Sequence, residues 1–115
     1  MPVIQRFIAV YKIWDELRNN FPKKSRYKLG VKIDELFLDT IELLFMAGSL
    51  GRAHKLPALQ KASGKLDLLK FFMQMSWEIK ILNDKKYIIL SSHLSEIGKM
   101  LGGWKKHIEN KTSAV

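Results

Sequence analysis

Between Leu17 and Ile33 the chain carries Arg18, Lys23, Lys24, Arg26, Lys28 and Lys32 with no acidic residue among them. Ammonium and guanidinium groups at this density suit one task above others, which is to hold phosphate oxygens through charge-assisted hydrogen bonds. Lys85 and Lys86 make a second group, and Lys99, Lys105 and Lys106 a third. A run of cations is often no more than a solvated helix face. Position argues against that reading. Arg26, Lys28 and Lys32 fall in the first two turns of a helix, where the macrodipole is already positive and acids would stabilise by about 0.3–1 kcal/mol each. The order along the same stripe is also the reverse of the stabilising one, with Lys28 and Lys32 ahead of Glu35, Asp39 and Glu42. Stability is given up at a terminus whose free N–H groups favour anions. Phe21 and Tyr27 flank the cations and either stack on bases, as in single-strand binders, or serve as core and staple residues.

Other chemistries lack their residues. A di-iron bundle needs a Glu and a His three positions apart on two helices, but Glu42, Glu78 and Glu96 are followed at that spacing by Phe45, Ile81 and Lys99. His93 and His107 lie roughly 20 Å apart at the helical rise, and His54 falls in a loop, so no metal is expected. Gly48 to Gly51 lacks the spacing and the Gly-Lys-Ser/Thr ending of a phosphate loop. No serine has a base and an orienting acid indicated beside it. With no cysteine in the chain, disulfides, thiolate metal sites and cysteine catalysis are excluded. The sequence therefore points to a protein without catalytic residues or a cofactor.

The elements that must carry these cations follow from composition and periodicity. A chain of 115 residues with 47% apolar side chains can bury the core of one domain. Its formal charge of +9 favours polyanionic partners. No run approaches the roughly 18–20 apolar residues of a membrane span, and Phe7 to Tyr11 is too short for a leader, so a soluble cytoplasmic protein without a membrane partner is expected.

Apolar residues recur at helical spacing in four segments, and no strand-like alternation is sustained. The first segment, about Val3 to Asn19, puts Ile4, Phe7, Ile8, Tyr11, Trp14 and Leu17 on one broad face, and Pro22 closes it. Ser25 is the expected N-cap of a second helix to about Ala47. That helix buries Leu29, Ile33, Leu36, Phe37, Thr40, Leu43, Leu44 and Ala47. A loop is expected from Gly48 to about Lys55, with Pro57 in the first turn of a third helix to about Leu82. Asn83 and Asp84 start the fourth, which carries Tyr87, Leu90, Leu94, Ile97 and Leu101, and Gly102 with Gly103 marks its end. The fold class is all-α, an antiparallel up-down-up-down four-helix bundle over residues 1–104, with a basic, frayed tail over 105–115. Second apolar stripes, Val31, Leu38, Ile41 and Phe45 on helix 2 and Phe71, Met75 and Trp77 on helix 3, suggest a further buried surface such as a subunit interface. In this arrangement helices 2 and 4 run the same way. Their N-termini, with the end of helix 1, would form one phosphate-binding end containing Arg18, Lys23, Lys24, Arg26, Lys28, Lys32, Lys85 and Lys86, without sequence readout.

Two motifs carry a family likeness. One is Phe21-Pro22-Lys23-Lys24-Ser25-Arg26-Tyr27-Lys28-Leu29-Gly30, continuing through Lys32-Ile33 to the acidic and apolar stretch Asp39 to Leu44. The other is Glu96-Ile97-Gly98-Lys99-Met100-Leu101-Gly102-Gly103-Trp104, preceded by Tyr87. Together they make the chain resemble the accessory variability determinant (Avd) proteins of diversity-generating retroelements, which share a four-helix fold with proteins encoded in intervening sequences of 23S ribosomal RNA genes. The resemblance implies a non-enzymatic partner of a reverse transcriptase. It further implies a homopentameric barrel that engages the RNA template, or DNA or an RNA–DNA hybrid, during mutagenic cDNA synthesis. The alternative is an intervening-sequence type bundle that binds structured RNA without a polymerase. The first motif is common to both branches, whereas the closing Gly-Gly-Trp and the basic excess lean toward the retroelement branch.

Overall fold

The computed structural model describes residues 2–113, with side chains for all of these except residue 52 and residues 111–113. Among the described residues there are four long helices and no strand, in a helical bundle of 52 × 22 × 20 Å. Helix α1 is Pro2–Arg18. Helix α2 spans 23–49 in three parts: a turn at Lys23–Ser25, a π-helical turn at Arg26–Gly30 and an α-helix at Val31–Ser49. Helix α3 is Arg52–Glu78 and α4 is Asp84–Ser113.

Helix α1 forms because Val3, Phe7, Val10 and Trp14 recur every three or four residues, and all four are buried. They close on Phe37 of α2, with the Phe7 ring edge-on at 5.5 Å and the Trp14 indole stacked at 6.0 Å. Each such side chain taken fully from water contributes about 1.5–3 kcal/mol. Ile33, Leu36, Phe37, Thr40, Leu44 and Ala47 of α2 are buried, the face expected from the wheel, with Leu29 and Leu43 half-buried. The buried Thr40 hydroxyl donates to the Leu36 carbonyl at 2.6 Å, so the one polar group in that row is satisfied. Leu59, Leu66, Leu69 and Met73 of α3 and Leu90, Leu94, Ile97 and Leu101 of α4 complete one core.

Partner numbers run in opposite order between α1 and α2, between α3 and α4, and between α1 and α4. Tyr11 and Arg18 meet Asp34, and Phe7 meets Phe37. Lys65 meets Asp39, Trp77 stacks on Tyr87, and Lys105 donates to Ser63. Arg6 meets His93, whereas Pro2 and Val3 lie beside Met100 and Trp104.

Four expected boundaries differ. Helix α2 begins at Lys23 rather than after a Ser25 cap: Pro22 takes the extended N-cap conformation and its carbonyl accepts Arg26 N–H at 2.9 Å, leaving Ser25 inside with no capping bond. The expected loop from Gly48 to Lys55 shrinks to Leu50 and Gly51, both extended, because helix persists through Gly48 and Ser49. Pro57 thus sits inside α3 beyond its first turn. The helical bond it removes would have gone to Ala53, and both residues are exposed, so water can take that carbonyl. Helix α3 stops at Glu78, with Lys80 left-handed at φ 67°. There Ile81 N–H bonds Ser76 and Lys80 N–H bonds Trp77, the paired bonds of a Schellman end. Helix α4 runs through Gly102 and Gly103 to Ser113 instead of fraying from Lys105, because Trp104 and Ile108 still pack on the core. Residues 114–115 of that expected tail lie outside the described residues. The start of α4 is as expected, with Asn83 Oδ1 accepting Lys86 N–H at 2.9 Å.

Candidate nucleic-acid interface

The eight cations singled out in the sequence divide into two kinds. Arg18 and Arg26 are spent on the fold. Arg18 lies over Gly30, where a Cβ would stand 3.7 Å from its Cγ, and its guanidinium is 3.4 Å from Asp34. Asp34 also accepts the Tyr11 hydroxyl at 2.7 Å and the Trp14 indole N–H at 3.4 Å. Burial, and then the neighbouring Asp34 carboxylate, push the Tyr11 phenol up to about 12. Arg26 donates to the carbonyls of Asn19 and Phe21 at 3.0 and 3.1 Å, capping the exit from α1, while its buried Nε has no partner among the described residues.

Lys23, Lys24, Lys28 and Lys32 are exposed, and none is in an ion pair among the described residues. Lys85 is exposed and Lys86 half-buried, likewise without an ion pair. Two arginines therefore anchor the corner between α1 and α2, and four lysines project from it. The π-helical turn helps to set that projection. One residue more per turn rotates the leading segment by roughly 100° relative to a straight α-helix, and such turns recur at functional sites. Tyr27, inside this turn, is 68% exposed. Phe21 is core, edge-on to Trp14 at 5.4 Å. The two flanking aromatics thus part company, and only Tyr27 can meet a base.

The second group of lysines lies toward the same end. Arg6 stands 3.4 Å from His93. Counting along the helical rise, Arg18 is about 18 Å beyond Arg6, while Lys86 and Lys85 are about 10–12 Å from His93 in the same direction. Lys99, by contrast, pairs with Glu96, and Lys105 donates to Ser63.

The expected interface residues also divide. Phe45 is 70% exposed, Phe71 57% and Leu38 47%. Val31, Ile41 and Met75 are half-buried, with Ile41 packed against the core. Trp77 has partners inside the chain: its indole stacks on Tyr87 at 4.8 Å and 9°, and its N–H donates to Asp84 at 2.7 Å. Ile8, expected on the apolar face of the first helix, is instead 43% exposed at its edge, and Ile88, 61% exposed, is apolar surface that the wheels did not single out. Among the described residues no three His, Cys, Asp or Glu cluster as metal ligands do, and no helix is long and apolar enough to cross a membrane.

Residues 3–108 match a protein-family model described as bAvd-like. No curated protein matches the chain.

Proposed function

The chain belongs to the bAvd-like family, and on that footing we propose that it is a non-enzymatic accessory protein that binds a reverse transcriptase and its RNA template in a diversity-generating retroelement, supporting mutagenic cDNA synthesis in the cytoplasm. One observation carries the nucleic-acid part of this reading: Lys23, Lys24, Lys28 and Lys32 stand exposed at the start of α2 and without ion pairs among the described residues, with Tyr27 exposed among them. Cations so placed repel one another and the helix dipole unless a polyanion is bound. Phosphates would take the lysines and the leading N–H groups of α2, and a base would take Tyr27. Arg18 and Arg26 are assigned the supporting part, holding the corner from which the lysines reach. Lys85 and Lys86 extend the basic end.

The opposed numbering of partners between α1 and α2, between α3 and α4, and between α1 and α4 supports an antiparallel up-down-up-down bundle over residues 1–104. Assembly into a homopentameric barrel is part of the proposal. Its support is the exposed apolar surface of Leu38 and Phe45 on α2 and Phe71 on α3, together with the half-buried Val31, Ile41 and Met75. Oligomerisation would also multiply the basic surface.

The test is co-purification with the reverse transcriptase encoded beside the gene, followed by primer extension on the template RNA. The expected result is cDNA that depends on this protein and is lost when Lys23, Lys24 and Lys28 are changed to Glu. Binding of structured ribosomal RNA with no polymerase in the complex would contradict the assignment and favour the intervening-sequence branch.

A further inference from the structure

The outer side of α2 carries Glu35, Leu38, Glu42 and Phe45, spaced by three and four residues so that they form one stripe, and all four are exposed. Leu38 is 47% exposed and Phe45 70%. In a chain of net charge +9, the two acids have no ion pair among the described residues. Large apolar side chains set between unpaired acids mark a contact surface rather than a solvated face.

The outer side of α4 is the converse. Ser92, Ser95, Lys99, Gly103 and Lys106 share one exposed stripe, with Gly102 half-buried beside it. Lys106 has no ion pair among the described residues, and Lys99 reaches only Glu96 of its own helix, at 3.8 Å. Glycine is a poor helix former, and no packing within the chain calls for it here, since the would-be Cβ of Gly102 and of Gly103 meets nothing within 4 Å. What a helix gains from such glycines is room for another backbone to come close.

The two stripes match in spacing, size and sign. Glu35 and Glu42 are seven residues apart, as are Lys99 and Lys106, about 10.5 Å along either helix. An antiparallel register with Glu42 at Lys99 and Glu35 at Lys106 sets Leu38 over Gly102 and Gly103. It also brings Phe45 to Ser95, with Glu96 at its side already turned to Lys99. A parallel register with the same charges matched would carry Phe45 to Glu109 instead. The main packed pairs are α1 with α2, α2 with α3, α3 with α4 and α1 with α4, so α2 and α4 stand diagonally and their outer sides face apart. One copy cannot join its own two stripes.

We infer that copies of this chain dock head to tail, the outer stripe of α2 on one copy lying antiparallel on the outer stripe of α4 on the next, with Glu35 and Glu42 against Lys106 and Lys99 and Leu38 seated on Gly102 and Gly103. The inference rests on the proposed self-assembly and adds the two faces and the register through which it occurs. Each copy keeps one stripe of each kind free for a further neighbour, so the contact repeats until a ring closes.

The test measures mass in solution by light scattering, across a range of concentrations, for the full chain and its variants, each checked for native helicity and for co-purification with the reverse transcriptase. Glu35→Lys with Glu42→Lys, and separately Lys99→Glu with Lys106→Glu, should each weaken self-association by about tenfold or more, because like charges then face one another. The chain carrying all four changes should regain the mass of the unchanged chain, a recovery that damage to the fold would not give. Gly103→Gln, whose side chain has open space in the single copy, should keep helicity and weaken association. Undiminished mass in both two-residue variants, or no recovery in the four-residue variant, would overturn this docking and leave assembly to other faces. Undiminished mass with loss of the reverse transcriptase would assign the α2 stripe to the polymerase instead. An unchanged chain that stays single at every concentration would overturn both this docking and the proposed barrel.

Discussion

Asp34 accepts the Tyr11 hydroxyl at 2.7 Å, a bond that ties the middle of α1 to the first turn of the regular part of α2. The same carboxylate faces Arg18 and Trp14, so one acid fixes the corner from which the lysines project.

This pairing has a pH signature. Burial and the Asp34 carboxylate raise the folded Tyr11 phenol from 10.0 to about 12. Below pH 10 the phenol is protonated in both states and its contribution is complete. Between 10 and 12 the unfolded chain loses this proton while the folded chain keeps it, so stability falls as pH rises. Tyrosinate absorbance should contain a late-ionising component that Tyr11→Phe removes and Asp34→Asn moves toward lower pH. A titration unchanged by either variant would contradict the assignment.

Helix α4 passes through Gly102 and Gly103 without a break, and neither glycine has another atom within 4 Å of its would-be Cβ. Gly102→Ala and Gly103→Ala should each raise stability by roughly 0.5–1 kcal/mol in urea unfolding, because alanine loses less conformational freedom in a helix. Destabilisation by either change would indicate that the helix stops there.

Lys80 sits at φ 67° at the end of α3. A left-handed conformation costs a side-chain-bearing residue about 1–2 kcal/mol and glycine little, although glycine is also freer when unfolded. The net expectation for Lys80→Gly is a gain of roughly 0.5–1 kcal/mol, read from the denaturant midpoint.

If Leu38 and Phe45 are contacts between copies, Leu38→Ser with Phe45→Ser should lower the mass measured by light scattering to that of one chain while leaving helicity intact. Both side chains are already largely in solvent, so the single chain loses little. An oligomer of unchanged mass would place the interface elsewhere.

Much of this fold was legible because burial follows a 3.6-residue period. The α2 core row from Ile33 to Ala47 and the Asn83 cap needed nothing beyond local pattern and capping chemistry. What misled was punctuation. Gly48, Gly102 and Gly103 read as breaks and Pro57 as a first-turn residue, yet tertiary burial of Ala47, Leu59, Trp104 and Ile108 pays the modest local penalties and carries the helices through. The candidate interface was legible as a charge run. The division of labour within it was not, since Arg18 and Arg26 find Asp34 and the carbonyls of Asn19 and Phe21 only after the chain folds back.

The central claim is that lysines at the start of α2 hold a nucleic-acid backbone, and the salt dependence of RNA affinity tests it most directly. For single-stranded RNA, log affinity should fall linearly with log salt concentration. Changing Lys23, Lys24, Lys28 and Lys32 together to Gln should make that slope shallower by about 3, at roughly 0.7 per phosphate contact. Affinity that is indifferent to a fourfold rise in salt, or a slope the four changes leave alone, would contradict the account.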